Sequence, residues 1–243
     1  MNNPSTTGSP VRGQPDFGAD PSLLEEFGAI IAHELATPLA IINGAAGLAL
    51  DDDADTPPEE HRALLQMIRR NTQLAELLLR RVGLARDIDA GRVELSRAMI
   101  DLGQLVEESV GDLRQMILDD HPVTVTIDEI PPIWADATAA REIVFNLLSN
   151  ASKYSESGAA IEVTARRAGD HAEVVVRNHG GGVTPGDTDR IFEKFHRGQT
   201  TSPGAGLGLF ISRGLARAHA GDITVQAAER VGSEFRLTLP LGA

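Results

Sequence analysis

The sequence predicts an α plus α/β chain: a helical hairpin that pairs with a second copy as a four-helix bundle, followed by an α+β two-layer sandwich. Three observations carry this. Apolar residues recur at helical spacing through the first third of the chain. The pattern then changes to alternating strands mixed with helices, without regular βαβ order. The first two helices each have a single apolar stripe, too little to enclose a core, so pairing two hairpins is the simple remedy.

Residues 1–20 are dominated by Asn, Pro, Ser, Thr and Gly and have almost nothing to bury, so a disordered tail is expected. From Ser22 the residues Phe27, Ile31, Pro38, Ile41 and Ala45 fall in one narrow arc at ~100° per residue, predicting a helix to about Leu50. The run from Asp51 to Pro58 reads as a solvated turn, and a second helix follows from Glu59 to about Asp87. These give a first domain over 21–91. A second, 92–243, opens with a short strand from Arg92 to Leu95, a helix from Asp101 to Leu118 and the alternating strand Val123 to Ile127. It continues with a helix from Ala137 to Lys153, strands at Ile161–Arg166 and Ala172–Arg177, and a polar Gly-rich stretch. A helix from Leu207 to Ala220 and strands at Ile223–Ala227 and Glu234–Leu239 complete it.

Composition narrows the function. The formal charge is −13, which disfavours nucleic acid and anionic lipid as partners. Cysteine is absent, so disulfides, thiolate metal sites and cysteine nucleophiles are excluded. No uninterrupted apolar run reaches the ~20 residues that span a bilayer, and the start lacks a secretory layout. A cytoplasmic chain without a membrane segment is the expectation.

The chemistry begins at His33-Glu34-Leu35-Ala36-Thr37-Pro38. The H-E-x-x start fits a zinc protease, but Thr37 stands where a second imidazole is needed. His33 lies ~120° from the centre of the apolar stripe with Thr37 one turn later, so both should face solvent. An exposed imidazole beside a carboxylate can attack phosphorus, or it can be a plain surface residue. In the helix Arg141 to Tyr154, the residues Asn146, Asn150 and Lys153 share one polar face, as a Mg²⁺ and phosphate site requires. Asn178-His179-Gly180-Gly181-Gly182, then Ile191-Phe192-Glu193-Lys194-Phe195, then Gly204-Ala205-Gly206-Leu207-Gly208 complete the set. Glycines allow close backbone approach, and the last group opens a helix whose N-terminus favours anions.

Taken in order, these segments resemble the H-box, N-box, first glycine box, F-box and second glycine box of the HisKA-type sensor histidine kinases, over about residues 22–240. The resemblance implies a GHKL-type ATP-binding domain and a homodimer. It makes His33 the phosphoacceptor, Glu34 its orienting base, and Thr37 the residue that positions water in a reverse phosphatase reaction. It makes Asn150 the Mg²⁺ ligand and Lys153 a phosphate contact. Asn146, Tyr154, Asn178, Gly180, Gly182, Arg197, Gly204, Gly206, Leu207 and Gly208 complete the ATP site it implies. The polar stretch between the glycine boxes becomes an ATP lid, pinned by Phe192 and Phe195. The implied partner is a response-regulator receiver domain, whose aspartate takes the phosphoryl group.

Two other readings stay open. GHKL-type ATPases carry a general-base Glu four residues before the metal Asn, where this chain has Asn146. A silent dimeric scaffold draws on Asn178, which stands where the family has an Asp that accepts from the adenine amino group.

Overall fold

The computed structural model describes residues 21–50, 57–114, 118, 120–184, 186–196, 206–228 and 232–242, with side chains from 28 onward and excluding 227–228. The expected tail at 1–20, most of the acidic turn, and residues 185 and 197–203 of the expected lid lie outside these residues.

Helix α1 (Pro21–Ala49) and helix α2 (Pro58–Asp89) pack along each other as the predicted hairpin. Pro57 and Pro58 begin α2 where a missing N–H costs nothing, and Glu59 and Glu60 sit at its positive end. Pro38 and Ala45 are buried in the seam. Ile41 is exposed, and Ile42 turns partly inward in its place. Leu39, Leu48, Leu65 and Leu79 also remain exposed, so each helix keeps an apolar side that this chain alone does not cover. Counting its alanines and glycines, Gly28–Ala49 is long and apolar enough to cross a membrane by length and composition alone, a test that helices of soluble proteins also pass.

The second part is built on a five-stranded sheet in the order β2-β4-β5-β7-β6: Val123–Ile127, Ile161–Ala168, His171–Asn178, Gly232–Pro240 and Asp222–Ala228. Only β2 and β4 pair in parallel. Period-two alternation sends Val163, Ala165, Val174, Val176, Phe235, Leu237 and Ile223 to one face. That face buries against helices α3 (Leu102–Arg114), α4 (Ala137–Tyr154) and α5 (Gly208–Ala218), through Val106, Ile143, Leu147, Leu148 and Ile211 among others. The outer face carries a ladder of alternating charge. Arg166 and Arg236 both bind Glu173, Arg236 and Arg177 both bind Glu234, and Arg177 reaches Glu162.

One expected strand is absent. Residues 92–95 form no strand, although Val93 and Leu95 pack on the core. The strand that forms is β1 (Ala98–Ile100), antiparallel to β3 (Ile133–Ala135), and neither was anticipated. Arg190–Phe192 adds one turn of 3₁₀-helix. Helix α3 is described from Leu102 to Arg114; residues 115–117 of the expected span lie outside the described residues, and Leu118 is not helical.

Candidate active site

Asp136 starts the helix that matters most. Its Oδ1 accepts from the Thr138 and Ala139 backbone N–H groups at 2.9 and 3.0 Å, satisfying two donors that a helix start leaves open. Its Oδ2 accepts from the Ser96 N–H at 2.8 Å. Burial works against the Asp136 charge, but these three N–H donors outweigh it and hold its carboxyl below the usual aspartate value. His219 at the end of α5 accepts from the Asp136 N–H through Nε2 at 3.0 Å, with Nδ1 facing the Leu215 carbonyl at 2.8 Å. The tautomer follows: Nδ1 carries the proton. Helix α4 is thus fixed at its origin from three directions.

Four turns on, α4 presents Ser149, Asn150, Lys153 and Tyr154 to a cavity of about 650 Å³. The opposite wall is the helical hairpin. His33, Glu34 and Thr37 of α1 line the same cavity, as do Leu78 and Arg81 of α2. His33 and Thr37 are exposed, as expected from their flank of α1, and Glu34 is half-buried. The structure therefore brings together two groups of residues more than a hundred positions apart in sequence. Lys153 stands 5.3 Å from the centre of the Tyr154 ring.

Asn146 differs from its neighbours. It is 4% exposed, and its Oδ1 accepts from Arg81 Nη2 at 2.9 Å. Its Nδ2 donates to Glu142 at 3.3 Å and to Ser212 at 3.2 Å. An amide bound at both ends braces α4 against α2 and α5. Arg81 also pairs with Glu142 at 3.3 Å. Sequence reasoning missed Arg81, because an Arg80-Arg81 pair on a helix looks like a solvated face.

The glycines serve packing as well as access. A Cβ on Gly180 would lie 2.1 Å from the Tyr154 carbonyl oxygen, so this position must be glycine for the β5 exit to meet the end of α4. Gly206 has φ +66 and packs against the Phe195 backbone. The Phe195 N–H donates to the Gly206 carbonyl at 3.0 Å, joining the segment after the 3₁₀ turn to the start of the second glycine group. Gly182 abuts the Gly232 carbonyl. Leu207 is buried, and Gly208 lies against the Asn146 amide, where a Cβ would come within 3.4 Å of Oδ1. Arg197 and Gly204 lie outside the described residues. Phe192 is buried under the Arg213 guanidinium, 4.5 Å from its ring centre, which makes it core as much as lid anchor.

Several polar atoms here await partners. Asn178, 2% exposed at the end of β5, has no partner for its Nδ2. His196 on the cavity wall has a buried Nε2 without a partner, and sequence reasoning passed over it although it directly follows Phe195. Buried polar atoms without a partner are uncommon and call for a ligand or a rearrangement. No cluster of three His, Asp or Glu residues exists among the described residues. A hard divalent cation held by one amide oxygen, phosphate oxygens and water needs none, so Asn150 beside Lys153 fits Mg²⁺ carried by a nucleotide.

Comparison with known proteins agrees with this geometry. Residues 23–91 match the His Kinase A (phospho-acceptor) domain, and residues 135–243 match the histidine kinase-, DNA gyrase B- and HSP90-like ATPase family. The chain is 33% identical over 236 residues to the sensor histidine kinase MtrB of Mycobacterium leprae, covering 90% of this chain and 41% of MtrB. It is 34% identical over 220 residues to the sensor protein KdpD of Escherichia coli, covering 87% of this chain and 24% of KdpD. The chain thus spans well under half the length of either relative. Among solved structures, full-length ShkA in complex with AMPPNP superposes with a TM-score of 0.66 at 26% identity, covering 89% of this chain and 45% of ShkA. The histidine kinase AdeS of Acinetobacter baumannii shares the fold, with a TM-score of 0.63 at 19% identity over 86% of this chain and 98% of that one. A phospho-acceptor hairpin and a GHKL-type ATPase domain, in that order and facing one cavity, make this chain a member of the HisKA-type sensor histidine kinases.

Proposed function

We propose that the chain is an ATP-dependent autokinase whose His33 receives the γ-phosphoryl group and passes it to a response-regulator receiver aspartate. The observation that carries this is the shared cavity, with His33 on one wall and Asn150 and Lys153 on the other. In the reaction, His33 Nε2 forms a bond to the γ-phosphorus in line with the bond to the departing ADP oxygen. Glu34 orients the ring and offsets the charge that develops on it. Lys153 compensates phosphate charge. Asn150 would hold Mg²⁺, which would supply positive charge to offset that of the phosphates. Tyr154, Asn178, Arg197 and the glycines at 180, 182, 204, 206 and 208 complete the nucleotide site, with Leu207 beneath them. Thr37, exposed one turn from His33, would orient water for dephosphorylation of the regulator.

Hydrolysis of ATP by water is disfavoured, because Asn146 cannot act as a base and both ends of its amide are engaged. The uncovered apolar sides of α1 and α2 support a homodimer through a four-helix bundle. Residues 21–91 form the dimerisation and phosphotransfer domain and 92–243 the ATP-binding domain, both working in the cytoplasm. The test is incubation with γ-labelled ATP and Mg²⁺. Acid-labile, alkali-stable label is expected on the chain and should be lost in His33→Gln, with nucleotide affinity unchanged. Label persisting on His33→Gln would refute the assignment.

A further inference from the structure

The last turns of α2 meet the nucleotide domain along one stripe. Arg81, Ala85, Ile88 and Asp89 recur at helical spacing. Arg81 binds Glu142 and Asn146 of α4. Ala85 is fully buried. Ile88 sits so close to α5 that a Cβ on Gly214 would lie 2.5 Å from its Cγ2, so the two helices approach as nearly as a glycine permits. Asp89 pairs with Lys194, next to the stem of the lid. Polar, apolar and ionic contacts thus engage α4, α5 and the segment after the 3₁₀ turn. In this posture His33 faces the residues proposed to hold phosphate.

We propose that this stripe is a docking rail that holds the nucleotide domain in the posture from which His33 is phosphorylated, with Arg81 as its positioning residue. The inference rests on the kinase reading above. Arg81 is well suited to the task. Its Nη2 reaches Asn146, which lies one turn before Asn150, so a displacement of α2 is felt directly by the helix that presents the phosphate site. Its Nε is buried without a partner, and the Glu142 and Asn146 contacts share one terminal nitrogen, so the anchor stands on few bonds and can be released.

The chain has no cysteine, so Ile88→Cys with Gly214→Cys in the full chain introduces two thiols per protomer, and a cross-link within one protomer, across the rail, is told from one between protomers by its monomer mobility on a non-reducing denaturing gel. The oxidised double variant, preloaded with Mg²⁺ and labelled ATP, should still label His33 in a single turnover. Loss of labelling that returns on reduction would overturn the proposal, because the docked posture would then be a resting state. Arg81→Glu should slow labelling by roughly a hundredfold, with KM for ATP unchanged, and should slow formation of the cross-link. Arg81→Glu combined with Glu142→Arg should recover most of both. An unchanged rate, or a raised KM that accounts for the loss, would remove Arg81 as a positioning residue. If the unsubstituted chain takes no label, the kinase reading fails by itself. The cross-link arm still decides whether Arg81 governs docking, and a rate indifferent to Arg81→Glu overturns that too.

Discussion

Asp136 offers the sharpest test of how the catalytic helix is held. In Asp136→Ala, α4 loses both cap bonds, worth ~1 kcal/mol, and Ser96 loses the acceptor of its N–H. Ser96 is exposed, so water takes over part of that bond and the further loss is about 1 kcal/mol. A total near 2 kcal/mol lowers the melting temperature of the domain by roughly 4–8 °C. Asp136→Asn separates the two shares. Its carbonyl oxygen can still cap Thr138 and Ala139, but its NH₂ then faces the Ser96 donor, so only about 1 kcal/mol should go. The pH dependence has a definite sign. The folded carboxyl lies below the ordinary 3.8, so its stabilisation is complete above about pH 4 and fades as pH falls through the lowered value. Melting curves of the three proteins followed by circular dichroism, at pH 7 and toward pH 3, are the assay. Equal stability of Asp136→Ala and the unsubstituted chain would refute this account of α4, as would Asp136→Asn melting below Asp136→Ala.

Asp222 gives a second acid-limb prediction. Burial opposes its charge, but Arg213, the Ile223 N–H and Arg217 prevail and hold its carboxyl at about 2. Its contribution should therefore be present above pH 4 and be lost between about pH 4 and 2, and Asp222→Asn should flatten acid unfolding over that window. An unaltered acid limb would contradict the pairing. At Asn178, the proposed adenine contact is made by a neutral amide. Asn178→Asp should tighten ATP binding by about one order of magnitude and widen the preference for ATP over ITP, read by calorimetry. Equal affinity of both proteins for both nucleotides would take Asn178 out of the base pocket.

Helix α4 was legible from sequence nearly to the residue. Asp136 caps it, an apolar face at Ile143, Val144, Leu147, Leu148 and Ala151 alternates with a polar one, and the expected span of 137–153 ends one residue short of the observed Tyr154. The same logic misplaced the first strand. Arg92-Val93-Glu94-Leu95 alternates convincingly, yet alternation reports which side is buried and not whether a neighbour offers hydrogen bonds. The real strand, Ala98–Ile100, owes its existence to Ile133–Ala135, more than thirty residues away. Three residues carry too little pattern to announce that pairing. At the site, the residues of α1 and of α4 could each be named from their own helix, but nothing local revealed that they share a cavity or that Arg81 stands between them. Asn146 lines that cavity with Asn150 and Lys153, as its polar face suggested, but its partners Arg81 and Ser212, 65 and 66 positions away, could not be read from its own helix.

The ladder of charges on the outside of the sheet has a consequence for how the strands find one another. Most of these pairs join a partly exposed arginine to a buried carboxylate, Glu173 or Glu234, so the cost of drying the carboxylate offsets much of the attraction. Their larger effect falls on wrong alignments. Sliding β5 or β7 by one residue exchanges the two faces of a strand and would drive Glu173, Arg177 or Arg236 among Val163, Leu147 and Ile211. A charge buried without a partner costs several kcal/mol, far more than the native pairs supply. The ladder therefore works chiefly as proofreading during folding, and the strands that border the nucleotide site close in one register because every neighbouring register is penalised.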